Sequence, residues 1–331
     1  MRVLITGGTG SLGHALVRRW KDSAERIVVY SRDELKQAQM AEKFSDPNLR
    51  FFIGDVRDRD RLEEALVGID TVIHAAALKR VDAVAYNPAE VIKTNVLGTQ
   101  NICQAAVRAG VRSVVVVSSD KAVEPANIYG SSKNVAEHLA VAANVYAVPR
   151  GTGVSVVRYG NVAWSRGSVL WRWDALLRQA AGRYAEGHLP VIPITDHRMT
   201  RFWLTLDQAA DVIDYALDTQ EAGEIYIPRL KAASMTDIAL AMFNNMVKFN
   251  ETGLRPGGEK LHEVLIGSEE ASRTATYDHS FRIEPHLPTW RGHEVYGEDP
   301  DYHGKIQRYS SDMAPRMSQE EIMALLRSKP V

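Results

Sequence analysis

The first 160 residues alternate between two hydrophobic periods. Short β-rich apolar runs at Val3–Thr6, Arg26–Tyr30, Leu49–Ile53, Thr71–Ala75, Ser113–Ser118 and Val154–Val157 read as strands buried on both faces. Between them, Leu12–Trp20, Arg59–Val67, Val91–Ala109 and Lys133–Ala147 carry apolar residues at helical spacing. Strands alternating with helices predict an α/β fold, a doubly wound parallel sheet with helices on both faces. After about Gly160 the alternation becomes irregular. Trp164, Trp171, Trp173 and Trp203 cluster there, Asp207–Leu217 reads as a helix and Gly223–Pro228 as a strand, and residues 251–306 are rich in Gly, Pro, His and charge. The expected layout is a core over residues 1–165, to which 195–230 return, and a smaller C-terminal lobe built from 166–194 and 231–331.

Composition narrows the function classes. Of 331 residues, 45% are hydrophobic and 24% charged, which excludes a disordered, collagen-like or coiled-coil chain. Forty basic residues against 41 acidic ones give no electrostatic reason to expect nucleic-acid binding. The single cysteine, Cys103, excludes an internal disulfide and sits on a helix face, where it reads as packing. The N-terminus runs from Met1-Arg2 directly into the first strand, and no apolar run reaches the length of a membrane span. The expected setting is the cytoplasm. The histidines show no ligand-like spacing, so no metal is expected.

The first strand runs into Thr6-Gly7-Gly8-Thr9-Gly10-Ser11-Leu12-Gly13, which opens the first helix. Gly7, Gly10 and Gly13 permit a tight turn and close backbone approach to a pyrophosphate, and the helix start offers free N–H groups. A dinucleotide site is therefore expected at Gly7, Thr9, Gly10, Ser11, Leu12 and Gly13. The second strand ends Ser31-Arg32-Asp33. An acid here suits the ribose hydroxyl of NAD, and a cation suits the 2′-phosphate of NADP. Ser31 and Arg32 come first, which favours NADP, while Asp33 keeps NAD open. Asp55 has two readings, a bond to the adenine or a cap on the helix that follows.

Tyr129 and Lys133 are four residues apart. On one helix they share a face, and an ammonium near a phenol lowers its pKa from about 10. Tyr129 then becomes a base for an alcohol proton while hydride leaves the same carbon. Ser119 lies upstream, after the strand that ends in Val117.

The glycine loop, His74-Ala75-Ala76-Ala77, and Ser119 with Tyr129 and Lys133 resemble the extended short-chain dehydrogenase/reductase superfamily. The segment Ser118-Ser119-Asp120-Lys121-Ala122-Val123-Glu124-Pro125-Ala126-Asn127-Ile128-Tyr129-Gly130 more narrowly resembles the signature of the soluble, inverting UDP-N-acetylglucosamine 4,6-dehydratases. The membrane-anchored, retaining relatives carry Met at the position of Tyr129. The resemblance implies a Rossmann core, an NADP-dependent lyase, a UDP-N-acetylhexosamine substrate and a homo-oligomer, dimer or higher. It extends the cofactor site to Val56, Ala75, Ala76, Ala77, Lys79 and Asn95, with Tyr129 and Lys133 reaching the ribose.

The implied reaction oxidises C4, eliminates water across C5 and C6, and returns hydride to C6. In it Tyr129 takes the C4 hydroxyl proton, Ser119 holds that oxygen, and Lys133 binds the ribose and tunes Tyr129. Lys121 is the candidate C5 base and Asp120 the acid for the C6 hydroxyl. Those roles need neutral lysine and protonated aspartic acid, which desolvation of the pair favours. Lys79, Asn161, Arg201, Arg255 and Glu259 are the substrate candidates, the arginines because a planar fork suits a diphosphate.

Three segments depart from the family pattern. Trp164 replaces a glycine, Leu170-Trp171-Arg172-Trp173 replaces a proline-containing stretch, and Arg255-Pro256-Gly257-Gly258-Glu259 has an extra glycine. They leave the exact sugar open. Three alternatives stand beside the dehydratase: a UDP-sugar 4-epimerase, which needs no C5 base; a 5,6-dehydratase; and a non-catalytic NADP-binding sensor.

Overall fold

The computed structural model describes residues 1–184, 189–255, 257–287 and 306–330. The Val- and Ile-rich runs form six parallel strands: β1 (Arg2–Thr6), β2 (Arg26–Ser31), β3 (Leu49–Ile53), β4 (Thr71–His74), β5 (Ser113–Val117) and β6 (Gly153–Val157). They lie in the order β3-β2-β1-β4-β5-β6, and Ile225–Pro228 adds a seventh parallel strand beside β6. Val3, Leu4, Ile5, Val114 and Val115 have no exposed surface, because helices cover both faces. Each such side chain contributes roughly 1.5–3 kcal/mol on burial.

Helix α1 (Ser11–Trp20) turns Leu16, Val17 and Trp20 onto the sheet. On its far side the Leu206–Thr219 helix docks, held by Trp20 Nε1 donating to Asp214 at 2.9 Å. The connection reverses direction between β1 and β4, so the loops after these strands diverge and open a crevice at their C-terminal ends.

The structure departs from the sequence reading in four places. Thr274–Thr276 and Ser280–Ile283, assigned above to the lobe, pair antiparallel at the edge of the main sheet beyond Ile225–Pro228. Three and four residues long, they are too short for their two-residue alternation to stand out. Val91–Ala109 is not one regular helix. Pro88–Val91 passes through a π-helical stretch, Ile92–Leu97, before Gly98–Arg108. The helix expected from Lys133 begins at Ile128, because the Asn127 side chain accepts from Gly130 N at 3.0 Å and caps it. Finally, Ala163 and Trp164, placed in the core by sequence, pack in the lobe. Of the stretch read as loop-rich, residues 256 and 288–305 lie outside the described residues.

The lobe has its own apolar cluster, built on Trp164, Leu170, Trp173, Trp203, Ile238, Phe243, Ile322 and Leu325. Trp164 adopts φ +56°, a conformation glycine takes freely, which agrees with the glycine of the family pattern. Its indole offsets that strain by burial, by an edge-on contact with Trp171 and by donating Nε1–H to Leu326 O at 3.0 Å. Lys329 lies over both rings, 5.0 and 5.1 Å from their centroids. Core and lobe are also stitched by Arg158, which is almost fully buried and bonded to Glu137 on the Ile128–Ala142 helix, to Glu270 and to Leu265 O. Among the described residues no helix is long and apolar enough to cross a membrane.

His74 ends β4, with Nδ1 2.8 Å from Thr6 Oγ1 and Nε2 3.1 Å from Thr99 Oγ1. Burial, reinforced by Lys133, holds the imidazole down at about 3. Between that value and the ordinary ~6.5 the unfolded chain binds more protons, so stability falls as pH falls through this window. We expect the native protein to lose up to about 2 kcal/mol more than His74→Gln between pH 6.5 and 5, at ~1.4 kcal/mol per unit. Urea unfolding at the two pH values measures the difference, and parallel losses would show that His74 does not titrate there.

Candidate active site

The crevice at the strand ends opens into a cleft of ≈ 1430 Å³ bounded by core and lobe. That exceeds the roughly 300–1,000 Å³ of a single small-molecule pocket, so two ligands have room side by side. Gly7, Thr9, Gly10, Ser11, Leu12 and Gly13 all line it. A Cβ on Gly7, at φ +65°, would meet Ala76 Cα at 2.8 Å. A Cβ on Gly10 would meet only Gly7 O, at 3.1 Å, so its bare Cα leaves open space on the cleft side. Helix α1 begins with no side-chain cap and no acid in its first turn. This cradle fits a dinucleotide pyrophosphate.

At the end of β2, Ser31, Arg32 and Asp33 also face the cleft. Asp33 Oδ1 accepts from Lys36 N at 3.0 Å and Oδ2 pairs with the Lys36 side chain, so both oxygens are engaged in capping the Glu34–Phe44 helix. Arg32 is half exposed, and its Nη1 lies 3.5 Å from Asp55. The cap on the helix after Asp55 is Asp58, which removes one of the two readings of Asp55. Asp55 accepts from Arg57 and, with Val56, lines the cleft. Ala75, Ala76, Ala77 and Lys79 line it too.

Asn95 does not line it. Its amide donates to Leu78 O and Ser132 Oγ and accepts from Leu78 N, so every polar atom braces the turn after β4 against the Ile128–Ala142 helix. The π turn directs the neighbouring Thr94 to the cleft instead.

Tyr129 and Lys133 share the first two turns of that helix, and both reach the cleft. Lys133 Nζ donates to Val117 O at 2.7 Å, and burial pushes it down to about 8 against the opposing pull of Glu137. Burial pushes the Tyr129 phenol up, and the cation that opposes this is Lys121, not the expected Lys133.

Lys121 Nζ donates to Asp120 Oδ1 at 3.0 Å and to Asn161 Oδ1 at 3.1 Å, and is ion-paired with Glu263 Oε1 at 3.3 Å. Burial works against the charge on Lys121, yet the two carboxylates outweigh it and hold the ammonium above its ordinary value. The neutral lysine expected from sequence is thus not the ground state, because Glu263 was left out of that reading.

Asp120 does behave as expected: burial, with Glu263 adding, pushes it up although Lys121 opposes. It has no exposed surface and stands behind the cleft wall, while Ser119 and Lys121 form the wall. Asp120 Oδ1 accepts from Ser119 Oγ at 2.8 Å, and Oδ2 has no hydrogen-bond partner among the described residues. Burial opposes ionisation of Glu263 as well, but Lys121, Arg201 and Lys260 hold its carboxyl well below the usual range.

The substrate candidates divide. Arg201 is nearly fully buried, and its four Nη hydrogens go to Thr200 O, Leu261 O, Glu259 and Lys260 O. With these bonds Arg201 braces the 259–263 segment, and it lines the cleft with Nε 3.8 Å from Glu263. Glu259 is held by Arg201 and Thr195. Arg255 is half exposed and only loosely paired with Glu259, at 3.4 Å, so its fork is open to the cleft. Pro256 lies outside the described residues. Asn161 reaches the cleft with its oxygen on Lys121.

The family profile described as polysaccharide biosynthesis protein matches residues 3–285. The chain belongs to this polysaccharide biosynthesis family. An inverting UDP-N-acetylglucosamine 4,6-dehydratase of Campylobacter jejuni is 42% identical over 289 residues, 86% of this chain and 83% of that protein. A UDP-glucose 4-epimerase of Rickettsia conorii is 36% identical over 332 residues, 98% of this chain and 94% of that one. Among solved structures, Pen from Bacillus thuringiensis superposes with a TM-score of 0.87 at 32% identity, over 99% of this chain and 97% of that one. The fold is that of the extended short-chain dehydrogenase/reductases.

Sequence reasoning missed Glu263 and Lys260. Lys260 donates to Asp120 O and Val123 O and pairs with Glu263 at 2.9 Å, which fastens the segment to the Asp120–Ala122 turn. The signal available was the acid spacing in Glu259-Lys260-Leu261-His262-Glu263, which surface segments share.

The same segment is fastened at Gly258, where Asn127 Nδ2 donates to its carbonyl at 2.9 Å. A Cβ on Gly258, at φ +94°, would stand 2.0 Å from Ala126 O, whereas one on Gly110, at φ +71°, meets nothing within 4 Å. Gly258→Ala should therefore cost more stability than the ~1 kcal/mol of left-handed strain expected for Gly110→Ala. Denaturant unfolding of both variants checks the order, and equal costs would show that the loop moves freely off Ala126.

Proposed function

We propose that the chain is an NADP-dependent, C5-inverting UDP-N-acetylglucosamine 4,6-dehydratase. The observation that carries the reading is the Asp120–Lys121 pair, with Lys121 on the cleft wall beside Tyr129 and Ser119. A 4-epimerase moves hydride on and off C4 and needs no ionisable pair beyond the tyrosine. The full-length similarity to the Rickettsia epimerase keeps that second reading in play.

Bound NADP⁺ would accept hydride from C4 and return it to C6, while C5 regains a proton on its opposite face. The chain's own residues handle the protons. Tyr129 takes the C4 hydroxyl proton, with Ser119 beside it. Lys133, bonded to Val117 O, holds the cofactor ribose. Lys121 must release a proton before it removes the one on C5. Asp120 is the acceptor within reach, through the Oδ1 to which Lys121 already donates. Asp120 stands behind the wall, so its proton reaches the departing C6 oxygen through Ser119 or Lys121, 2.8 and 3.0 Å away. After elimination Lys121 is an ammonium again and Glu263 stabilises it. Arg255 binds the substrate diphosphate. Arg201 and Glu259 position the segment that carries it.

NADP is the proposed cofactor because Asp33 is engaged in capping, whereas Arg32 at the cleft mouth is only weakly paired. Arg32→Ala should weaken NADP by about 1.5–3 kcal/mol and leave NAD nearly unchanged. Titration calorimetry with both dinucleotides reads this, and equal weakening would remove Arg32 from the 2′-phosphate.

The reaction itself is tested by incubating the protein with UDP-N-acetylglucosamine and weighing the product. Loss of one water is expected; an unchanged mass with inverted C4 would make the chain an epimerase, and no change would favour a sensor. Tyr129→Phe should abolish turnover with the cofactor still bound. Lys121→Ala should still let reduced cofactor accumulate, while water loss slows by ~10²–10⁴-fold. In heavy water, deuterium should enter C5 with the native protein and hardly at all with Lys121→Ala. Native-rate exchange in the variant would assign the base elsewhere.

A further inference from the structure

The turn Ser165–Gly167, between the short Asn161–Val162 strand and the Val169–Tyr184 helix, belongs to the lobe, yet it lies against the glycine loop. Arg166 N donates to Ser11 Oγ at 2.9 Å, and Ser11 is the first residue of α1. The Arg166 side chain faces the cleft and makes no hydrogen bond or ion pair among the described residues.

Its charge is felt at three points around the loop. Lys36 and, more weakly, Arg166 hold Asp33 down; burial and then Arg166 hold His14 down; burial, Lys121 and then Arg166 hold Lys79 down. Arg166 thus shares the cleft wall with Ser31–Asp33 at the end of β2, with Ser11 at the start of α1 and with Lys79. Lys79 also lines the cleft without a hydrogen bond or ion pair among the described residues. Two unpaired cations therefore line the same cleft as the glycine loop, whose helix start carries no acid. Like charges sharing a cleft favour an anion between them.

We propose that the Ser165–Gly167 turn is a strap that closes over the bound dinucleotide, and that Arg166 binds its pyrophosphate from the side opposite α1. This rests on the reading of the cleft as an NAD(P) site. A cofactor that is reduced in one step and reoxidised in a later one must not leave in between, and a phosphate clamp contributed by the substrate lobe retains it while the lobe is closed. The pyrophosphate is common to NAD and NADP, so the clamp does not discriminate between them.

The experiment measures dissociation constants of NAD and NADP for the full-length native protein, Arg166→Ala and Arg166→Lys, by tryptophan fluorescence or calorimetry. Arg166→Ala should weaken both dinucleotides equally, by about 10- to 100-fold, the range for a charged hydrogen bond. Arg166→Lys should fall in between, because a point charge replaces a fork. The melting temperature without cofactor should stay put, since the bond to Ser11 uses the backbone. Loss confined to NADP would assign Arg166 to the 2′-phosphate and overturn the proposal, and so would unchanged affinity. A native protein that binds neither dinucleotide would instead defeat the reading of the cleft.

Discussion

Six charged side chains meet at the cleft wall: Lys121, Arg201 and Lys260 against Asp120, Glu259 and Glu263. All but Lys121 are largely or fully buried. Ions taken out of water are costly, and removing one partner leaves an uncompensated charge. Three cations against three carboxylates is the arrangement that balances. The cluster joins the Asp120–Ala122 turn after β5, the Thr200–Leu204 strand and the 259–263 segment, so the charge balance also holds the lobe on the core. The acid–base pair and the mechanical joint between the two halves are the same set of atoms.

This arrangement changes how the pair works. A lysine paired with two carboxylates rests as an ammonium, and in the proposed reaction it becomes a base only when its proton moves to Asp120. Glu263 stabilises the state on either side of that transfer, because its own charge is secured by Arg201 and Lys260. The proposed elimination then ends where it began, with the ion pair restored.

The parallel sheet and the glycine loop are legible in the sequence because burial on both faces demands unbroken β-branched runs, and a tight phosphate turn demands glycine. Tyr129, Lys133, Ser119 and Lys121 are legible as a motif because they sit on consecutive elements after β5. Asn95 is misread because a polar side chain near a strand end looks the same whether it faces a ligand or braces a loop, and only its satisfied hydrogen bonds separate the two. Glu263 and Arg158 escape because a lone charge buried by a distant segment leaves no local pattern. The strand pair at residues 274–283 escapes because three or four residues are too few for a two-residue period to stand out.

That edge pair bears on the order in which the chain is assembled. The core sheet draws its seventh strand from residues 225–228 and its outer two from 274–283, after the chain has twice crossed into the lobe. During synthesis β6 emerges with one side bare, and it stays bare until another seventy or so residues have left the ribosome. The glycine loop forms in the first dozen residues but has no finished sheet to rest on until nearly the whole chain is available. A fragment ending near residue 165 thus carries every phosphate-binding glycine and an open edge of Val154, Val156 and Val157. Such an edge pairs with whatever strand it meets first, including another copy of itself.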